Sequence, residues 1–324
     1  MKQIHNISVV IPVFNEKDTL RLLADRLLRV LKPFGKYEVI FVNDGSVDGT
    51  EDVLDNLCSE HPQLIKGIHL RTNCGKSAAL DYGFKQASGE LIAMIDGDLQ
   101  DTPEEIPVLI KYLQDNKLDV VNGWRMVRRD IFLKTLSSRL FNQVVCMLSG
   151  LKIHDFNCGL KVMRRECLQN LKLYGQLHRF MIILLAKQGF RIAEHKVRHS
   201  PRKYGHSKYG SRRAYEGLMD LLTVIFITRY IQSPLYFFGF YGLLSFLAAS
   251  IYTGFFLVLH LRSIFTYYPQ GNLIEHPIWI LGPAMFLVGV IFIFFGLMGE
   301  LIYHISPAHL SQNRVKRQVG FEHE

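Results

Sequence analysis

Asp96-Gly97-Asp98-Leu99-Gln100 places two carboxylates and an amide within five residues. Two more polar clusters precede it, Pro12-Val13-Phe14-Asn15-Glu16 and Asn43-Asp44-Gly45-Ser46. Carboxylates crowded in one site repel each other unless a cation holds them. Two carboxylates, an amide oxygen and the oxygens of a diphosphate make a suitable nest for Mg2+ or Mn2+. For a lone Asp at a strand end, a turn or a helix cap is an equally good reading. Three clusters at successive strand ends favour a shared site. Asn73-Cys74-Gly75-Lys76-Ser77 is not a P-loop, because that motif needs glycine where Leu70 stands. Gly75 then serves a tight turn. Lys76 either faces a phosphate or is a solvated lysine at a helix start.

The elements that must position these residues alternate. Strands are expected at Ile7–Phe14, Tyr37–Asn43, Ile65–Arg71, Leu91–Ile95 and Asp119–Gly123, with helices at Thr19–Leu31, Gly49–Leu57 and Ser77–Ala87 between them. Such alternation predicts an α/β fold with a parallel sheet covered on both faces. In open sheets of this kind ligands bind at the carboxyl ends of the strands, where all three clusters fall. Thr102-Pro103-Glu104-Glu105 reads as a helix start with a capping box. Helices are also expected over Leu133–Leu148 and, amphipathic and basic at its start, over Ser211–Ile227, the latter at a membrane interface.

Two apolar runs follow, at about 234–261 and 277–305, and each exceeds the roughly 20 residues that span a bilayer core. The first has no charged residue and the second only Glu300. Buried core helices of a soluble domain are the alternative, but such helices rarely run so long without charge. Arg202, Lys203, Lys208, Arg212, Arg213 and Arg229 precede the first run, and Arg314, Lys316 and Arg317 follow the second. No signal peptide is visible. These flanks predict both termini and the catalytic part on the cytoplasmic side of the cell membrane. The expected organisation is a cytoplasmic domain over 1–210, a juxtamembrane helix over 211–232, and two spans with a short tail over 233–324. Net charge is +9. The basic residues cluster beside the spans, which favours an anionic membrane or a phosphate-bearing lipid over nucleic acid. The five cysteines include no Cys-x-x-Cys pair and read as reduced thiols.

Over residues 5 to 232 the sequence resembles the family 2 glycosyltransferases of GT-A fold, in the polyprenyl-phosphate branch. That branch includes dolichol-phosphate mannose synthase and the bacterial glucosyl and aminoarabinosyl transferases. The resemblance is carried by Val10–Glu16, Asn43–Ser46, Gly89–Ile92 leading into Asp96–Asp101, His154-Asp155-Phe156-Asn157-Cys158-Gly159, and the basic element Arg202–Lys208. It implies a Rossmann-like, mostly parallel sheet with helices on both faces, and transfer of a single sugar from a nucleotide-sugar to a polyprenyl phosphate.

By position, the resemblance implies that Pro12, Phe14, Glu16 and Asp44 line the nucleotide, with Asp96 beside it and Asp98 and Gln100 on the metal. Arg202 and Lys208 would neutralise donor or acceptor phosphate. Arg125, Arg128, Ser138 and Arg139 would meet the acceptor phosphate, since arginine offers phosphate a planar fork of donors. A solvated basic face is the alternative for Arg128 and Arg129. Asn43 stands where the family usually has Asp, and Gly97 where it usually has Ala. The first keeps a polar contact and the second removes only a methyl.

A phosphate monoester with a second pKa of about 6 is already anionic at neutral pH, so a strong base is unnecessary. Catalysis then rests on alignment and on stabilising the departing diphosphate, a task for the metal and Lys208. Asp155, the family's candidate base, reads as an orienting carboxylate or a weak base, and the expected outcome is inversion. Gln176-Leu177-His178-Arg179-Phe180 partly matches the Gln-x-x-Arg-Trp motif of processive synthases, with Phe180 in place of the Trp. The resemblance to the polyprenyl-phosphate branch, where a similar His-Arg pair lies near the active site, makes His178 and Arg179 secondary candidates, and a structural helix is the alternative for them. A processive transferase and a non-catalytic lipid-binding scaffold remain as alternatives. A UDP-sugar is favoured over a GDP-sugar. The resemblance also suggests a homo-oligomer, for which the sequence gives no interface.

Overall fold

The computed structural model describes residues 6–125, 151–200 apart from 152, 170 and 176, and 233–265 and 278–305, with five isolated positions between 219 and 230. The chain forms two compact units, Met1–Val224 and Ile225–Glu324.

The first unit is built on a seven-stranded sheet. Its strands are β1 (Asn6–Val13), β2 (Lys36–Asn43), β3 (Ile65–His69), β4 (Leu91–Met94), β5 (Val120–Arg125), β6 (Lys161–Arg164) and β7 (Ile192–Val197), in the order β3-β2-β1-β4-β6-β5-β7. The sheet is mostly parallel, as expected, and one strand makes it mixed. β6 runs antiparallel to both β4 and β5, and the other pairings are parallel. The carboxyl ends of six strands therefore meet the start of β6 along one edge. The third strand stops at His69, two residues short of Arg71. The fifth runs two residues past Gly123 because Trp124 and Arg125 pair with Lys196 and Val197 of β7.

Period-two alternation splits the strands between two faces. Val9, Ile11, Val39, Phe41, Ala93, Val121 and Val162 meet helices α1 (Lys17–Leu31), α2 (Thr50–Glu60) and α4 (Ile106–Asp115). The buried stripe of α1 is Leu20, Leu23, Ala24, Leu27 and Leu31, at the spacing an amphipathic helix requires. On the other face α3 (Lys76–Gln86) lies close on β1 and β2, where a side chain at Gly83 would run into Val10 and Val42. Helix α5 spans Met181–Lys187.

The capping box at Thr102 is not formed. Residues Pro103–Glu105 make a 3-10 turn, in which the Glu105 N–H donates to the Thr102 carbonyl at 3.0 Å and Thr102 makes no side-chain cap. The buried Glu105 carboxylate turns instead to Arg198, 2.6 Å away. The Leu133–Leu148 helix lies outside the described residues. Within Ser211–Ile227, Met219, Leu222 and Thr223 are helical.

The second unit contains α6 (Pro234–Phe265) and α7 (Ile278–Ile305), both long and apolar enough to cross a membrane. Most of their apolar side chains, among them Leu247, Phe255, Leu287 and Phe294, are exposed, unlike those of a soluble core helix. The two helices pack together where Gly242 faces the Gly289 carbonyl. Glu300 accepts the Leu235 N–H at 3.3 Å, so the charged residue of the second run caps the start of the first helix.

Candidate active site

The turns after β1 and β2 are clipped to each other. The Asn15 N–H donates to Ser46 Oγ at 2.8 Å, and the Val47 N–H returns to Asn15 Oδ1 at 2.9 Å. Asn15 adopts a positive φ of 53°, a conformation asparagine tolerates better than most residues. Thr19 Oγ1 lies 2.9 Å from the Gly97 carbonyl and 3.3 Å from the Glu16 carboxylate, which joins the first cluster to the third. Asn43 keeps its polar contacts, accepting from the Ser46 N–H at 3.0 Å and meeting His69 Nδ1 at 3.1 Å. The side chain that an alanine at 97 would carry lies 2.8 Å from Val13 Cγ1, so Val13 fills that methyl's space.

Asp44 is buried, and its carboxylate accepts the N–H groups of Cys74 and Gly75 at 2.7 and 2.9 Å. Burial pushes this carboxyl up against the pull of the two amides. Gly75 (φ +88°) then turns the chain into α3, whose first residue, Lys76, places Nζ 2.5 Å from Asp96 Oδ1. Burial would raise the Asp96 carboxyl. The Lys76 ammonium overrides it, with help from Arg125, and holds the group below the usual carboxylate range. Lys76 is thus an ion-pair partner inside the site and not a solvated helix start. Asp98 is half-buried, and its Oδ1 accepts the Gln100 N–H at 3.2 Å. Leu99 between them has φ +59°. Among the described residues no three His, Cys, Asp or Glu side chains converge as a complete metal site. With Asp96 turned to Lys76, the side chains of Asp98 and Gln100 bring hard oxygen donors to this turn. That suits a cation which takes its other ligands from phosphate and water.

Two strands away, Arg125 ends β5 instead of following it. Its Nε and Nη2 reach Asp155 Oδ2 and Oδ1 at 2.7 and 3.1 Å. Burial acts against the Arg125 charge, and Asp155 more than offsets it, so the guanidinium stays firmly protonated. Asp155 also accepts the Asn157 N–H at 3.2 Å. Gly159, where the same loop passes the end of β4, admits no side chain. A Cβ there would lie 2.5 Å from Asp101 Oδ2 and 2.6 Å from Asp96 Cγ.

His178 sits in a 3-10 turn, Leu177–Phe180, against the start of α3. Ser77 Oγ accepts its backbone N–H at 3.1 Å and makes a second hydrogen bond, of 2.8 Å, with its Nδ1. Burial, with Lys76 and Arg179 adding to it, pulls the imidazole well below its ordinary value, and it is neutral at pH 7.

The structure brings Pro12, Phe14, Glu16, Asp44, Asp96, Asp98, Gln100, Arg125 and Asp155 to one edge of the sheet. Arg128, Ser138, Arg139, Arg202 and Lys208 lie outside the described residues. Sequence reasoning missed Asn122, Lys161 and Glu194, which surround the Asp155 loop. The signal for Lys161 was a lone cation in the apolar run Leu160-Lys161-Val162-Met163.

Residues 8–172 match the family described as Glycosyl transferase family 2. The chain is 34% identical to dodecaprenyl-phosphate galacturonate synthase of Rhizobium johnstonii, over 97% of this chain and 92% of that protein. It is 32% identical to undecaprenyl-phosphate 4-deoxy-4-formamido-L-arabinose transferase of Pectobacterium atrosepticum, over 93% and 89%. In fold it is similar to glucosyl-3-phosphoglycerate synthase from Mycobacterium tuberculosis, solved with Mn2+, uridine-diphosphate and phosphoglyceric acid. That likeness has a TM-score of 0.54 and 18% identity, over 69% of this chain and 78% of the other. The fold is GT-A, and the chain belongs to glycosyl transferase family 2 and is a glycosyltransferase.

Proposed function

We propose that the enzyme transfers one sugar, with inversion, from a nucleotide-sugar to a polyprenyl phosphate at the cytoplasmic face of the cell membrane. The observation that carries this reading is the division of the strand-end edge. An acidic half (Glu16, Asp44, Asp96, Asp98) lies beside a half in which the Arg125 guanidinium is held by a buried carboxylate. The first half suits a diphosphate with its cation and the second an anionic phosphate acceptor. The two relatives named above, whose names give a polyprenyl phosphate as the partner of the sugar, support the same substrates. So do α6 and α7, which would keep the enzyme beside a lipid acceptor.

In this reading Pro12, Phe14, Glu16 and Asp44 line the nucleotide, UDP rather than GDP, and Asp96 lies next to it. Asp98 and Gln100 hold Mg2+ or Mn2+, whose contribution is to neutralise charge on the departing diphosphate. Arg202 and Lys208 add positive charge there. Arg125, Arg128, Ser138 and Arg139 bind the acceptor phosphate, which attacks without a strong base. Asp155 orients Arg125. The test is to incubate membranes carrying the protein with a panel of nucleotide-sugars and polyprenyl phosphate, then weigh the lipid product. One sugar per lipid is expected. Loss of product is expected in Asp98→Ala and in excess chelator, with recovery on adding Mn2+. A polymer, or undiminished product from Asp98→Ala, would overturn the reading.

A further inference from the structure

We propose that Lys161 is a positioning residue for the acceptor half of this site. Its buried ammonium holds the Asp155–Cys158 loop in the shape that presents Asp155 to Arg125. The proposal rests on the sugar-transfer reading above only for its kinetic test.

Lys161 opens β6 at the edge where the strand ends converge. In register it sits between Met94 of β4, two residues before Asp96, and Asn122 of β5, three residues before Arg125. It is 1% exposed. Its Nζ donates to Asn122 Oδ1 at 2.5 Å, to the Cys158 carbonyl at 2.6 Å and to the Phe156 carbonyl at 3.3 Å. All three partners are acceptors, and an ammonium has three hydrogens to give them. A neutral amine would turn its lone pair toward one of these oxygens.

Burying a charge is costly unless it is fully hydrogen-bonded. Val162 and Met163, which follow in the same strand, are apolar and buried, so a methionine at 161 would fit the strand itself. What the ammonium does has therefore to be found in its partners, and these lie in the site. Asn122 accepts from Lys161 through Oδ1 and donates through Nδ2 to the Asp155 carbonyl at 2.8 Å. The Phe156 and Cys158 carbonyls flank the next turn of the same loop. From the other side Glu194 accepts the N–H groups of His154 and Asp155, at 2.8 and 3.0 Å. A cation thus gathers the loop's carbonyls and an anion its amides. Asp155 is left with its side chain directed at Arg125. Glu194 also fixes His154 Nδ1 at 2.9 Å, and the imidazole stacks on Trp124 at 4.2 Å, so an indole reports on the loop.

The test is a cycle of Lys161→Met, Asp155→Asn and the double variant in the full-length protein. If Lys161 acts through Asp155, Lys161→Met lowers kcat about 10- to 100-fold, as loss of a supporting hydrogen-bonded group does elsewhere, and leaves the donor KM within about twofold. The double variant is then no slower than Asp155→Asn alone. Multiplying losses, or a donor KM that rises with the fall in kcat, overturn the proposal. Should Lys161→Met fail to accumulate, Asn122→Ala removes one end of the same chain and is expected to give the same split. A second readout needs no acceptor. In a Trp279→Phe background the remaining tryptophan is Trp124, and Lys161→Met should change its emission by loosening the His154 stack. Unchanged emission overturns the proposal. A wild-type protein that forms no lipid-linked sugar defeats the sugar-transfer reading, and the emission result still decides the role of Lys161.

Discussion

Arg125 and Asp155 meet through two parallel hydrogen bonds, Nε to Oδ2 at 2.7 Å and Nη2 to Oδ1 at 3.1 Å. A carboxylate held this way is poor at collecting a proton, because taking one up would break a bidentate ion pair in a buried setting. Asp155→Asn should therefore slow sugar transfer without erasing the acid limb of the kcat/KM profile. That limb should follow the acceptor phosphate, with its second pKa of about 6. Arg125→Lys gives up the fork and should raise the acceptor KM more than it lowers kcat. If the acid limb vanished in Asp155→Asn, Asp155 would be a general base after all.

Lys76 and Asp96 form the other ion pair of the site, at 2.5 Å. A bound diphosphate would offer the ammonium a stronger anion within reach of the same helix start. Lys76→Met should weaken nucleoside-diphosphate binding about tenfold, which corresponds to about 1.4 kcal/mol and to one charge-assisted hydrogen bond. Titration calorimetry in detergent measures this directly. Equal affinity in wild type and variant would mean that Lys76 serves only to neutralise Asp96.

The glycines make a prediction about space. At Gly159 the atoms that a Cβ would meet are carboxylate atoms of Asp96 and Asp101, and neither can retreat without disturbing the site. Gly159→Ala should abolish product while the protein still accumulates in membranes. At Gly97 the obstacle is Val13 Cγ1, 2.8 Å from where an alanine methyl would sit. Gly97→Ala should destabilise by about 1–3 kcal/mol, as overpacking does, and Val13→Ala in the same chain should recover most of it. A melting series of the two single variants and the double variant checks the pair. No recovery in the double variant would dismiss Val13 as the complementary residue.

The five strands read from the sequence were legible because each is a short, β-branched, apolar run bounded by turn residues. Their strand-end clusters were legible for the same reason, since polar residues directly after a buried strand have one edge to go to. β6 and β7 were not legible. Lys161-Val162-Met163-Arg164 is four residues with a charge at each end, and Ile192-Ala193-Glu194-His195-Lys196-Val197 is interrupted by three consecutive polar residues. Both become strands only because neighbouring strands, β4 and β5 for the first and β5 for the second, offer them backbone partners, a relationship of tertiary structure. The capping box at Thr102 failed for a related reason. Glu105 fits the local motif, but Arg198, far along the chain, competes for its carboxylate and wins. The pairings Lys76–Asp96 and Arg125–Asp155 likewise join residues whose partners sequence spacing could not name.

His178 gives the site a pH dependence of its own. In an unfolded chain its imidazole takes a proton at about 6.5. In the folded protein burial, with Lys76 and Arg179 nearby, pulls that value well down. As pH falls below about 6.5 the unfolded state binds a proton that the folded state refuses, so the stability present above that pH is progressively lost. The loss continues until the folded value is reached, and one such group contributes a slope approaching about 1.4 kcal/mol per pH unit. His178→Gln carries no titrating ring, and its melting temperature should fall less than that of wild type between pH 7 and 5. Parallel melting curves over that range would show that His178 does not set the acid sensitivity. A variant that melts lower at pH 7 yet converges with wild type near pH 5 is the outcome the buried neutral ring requires.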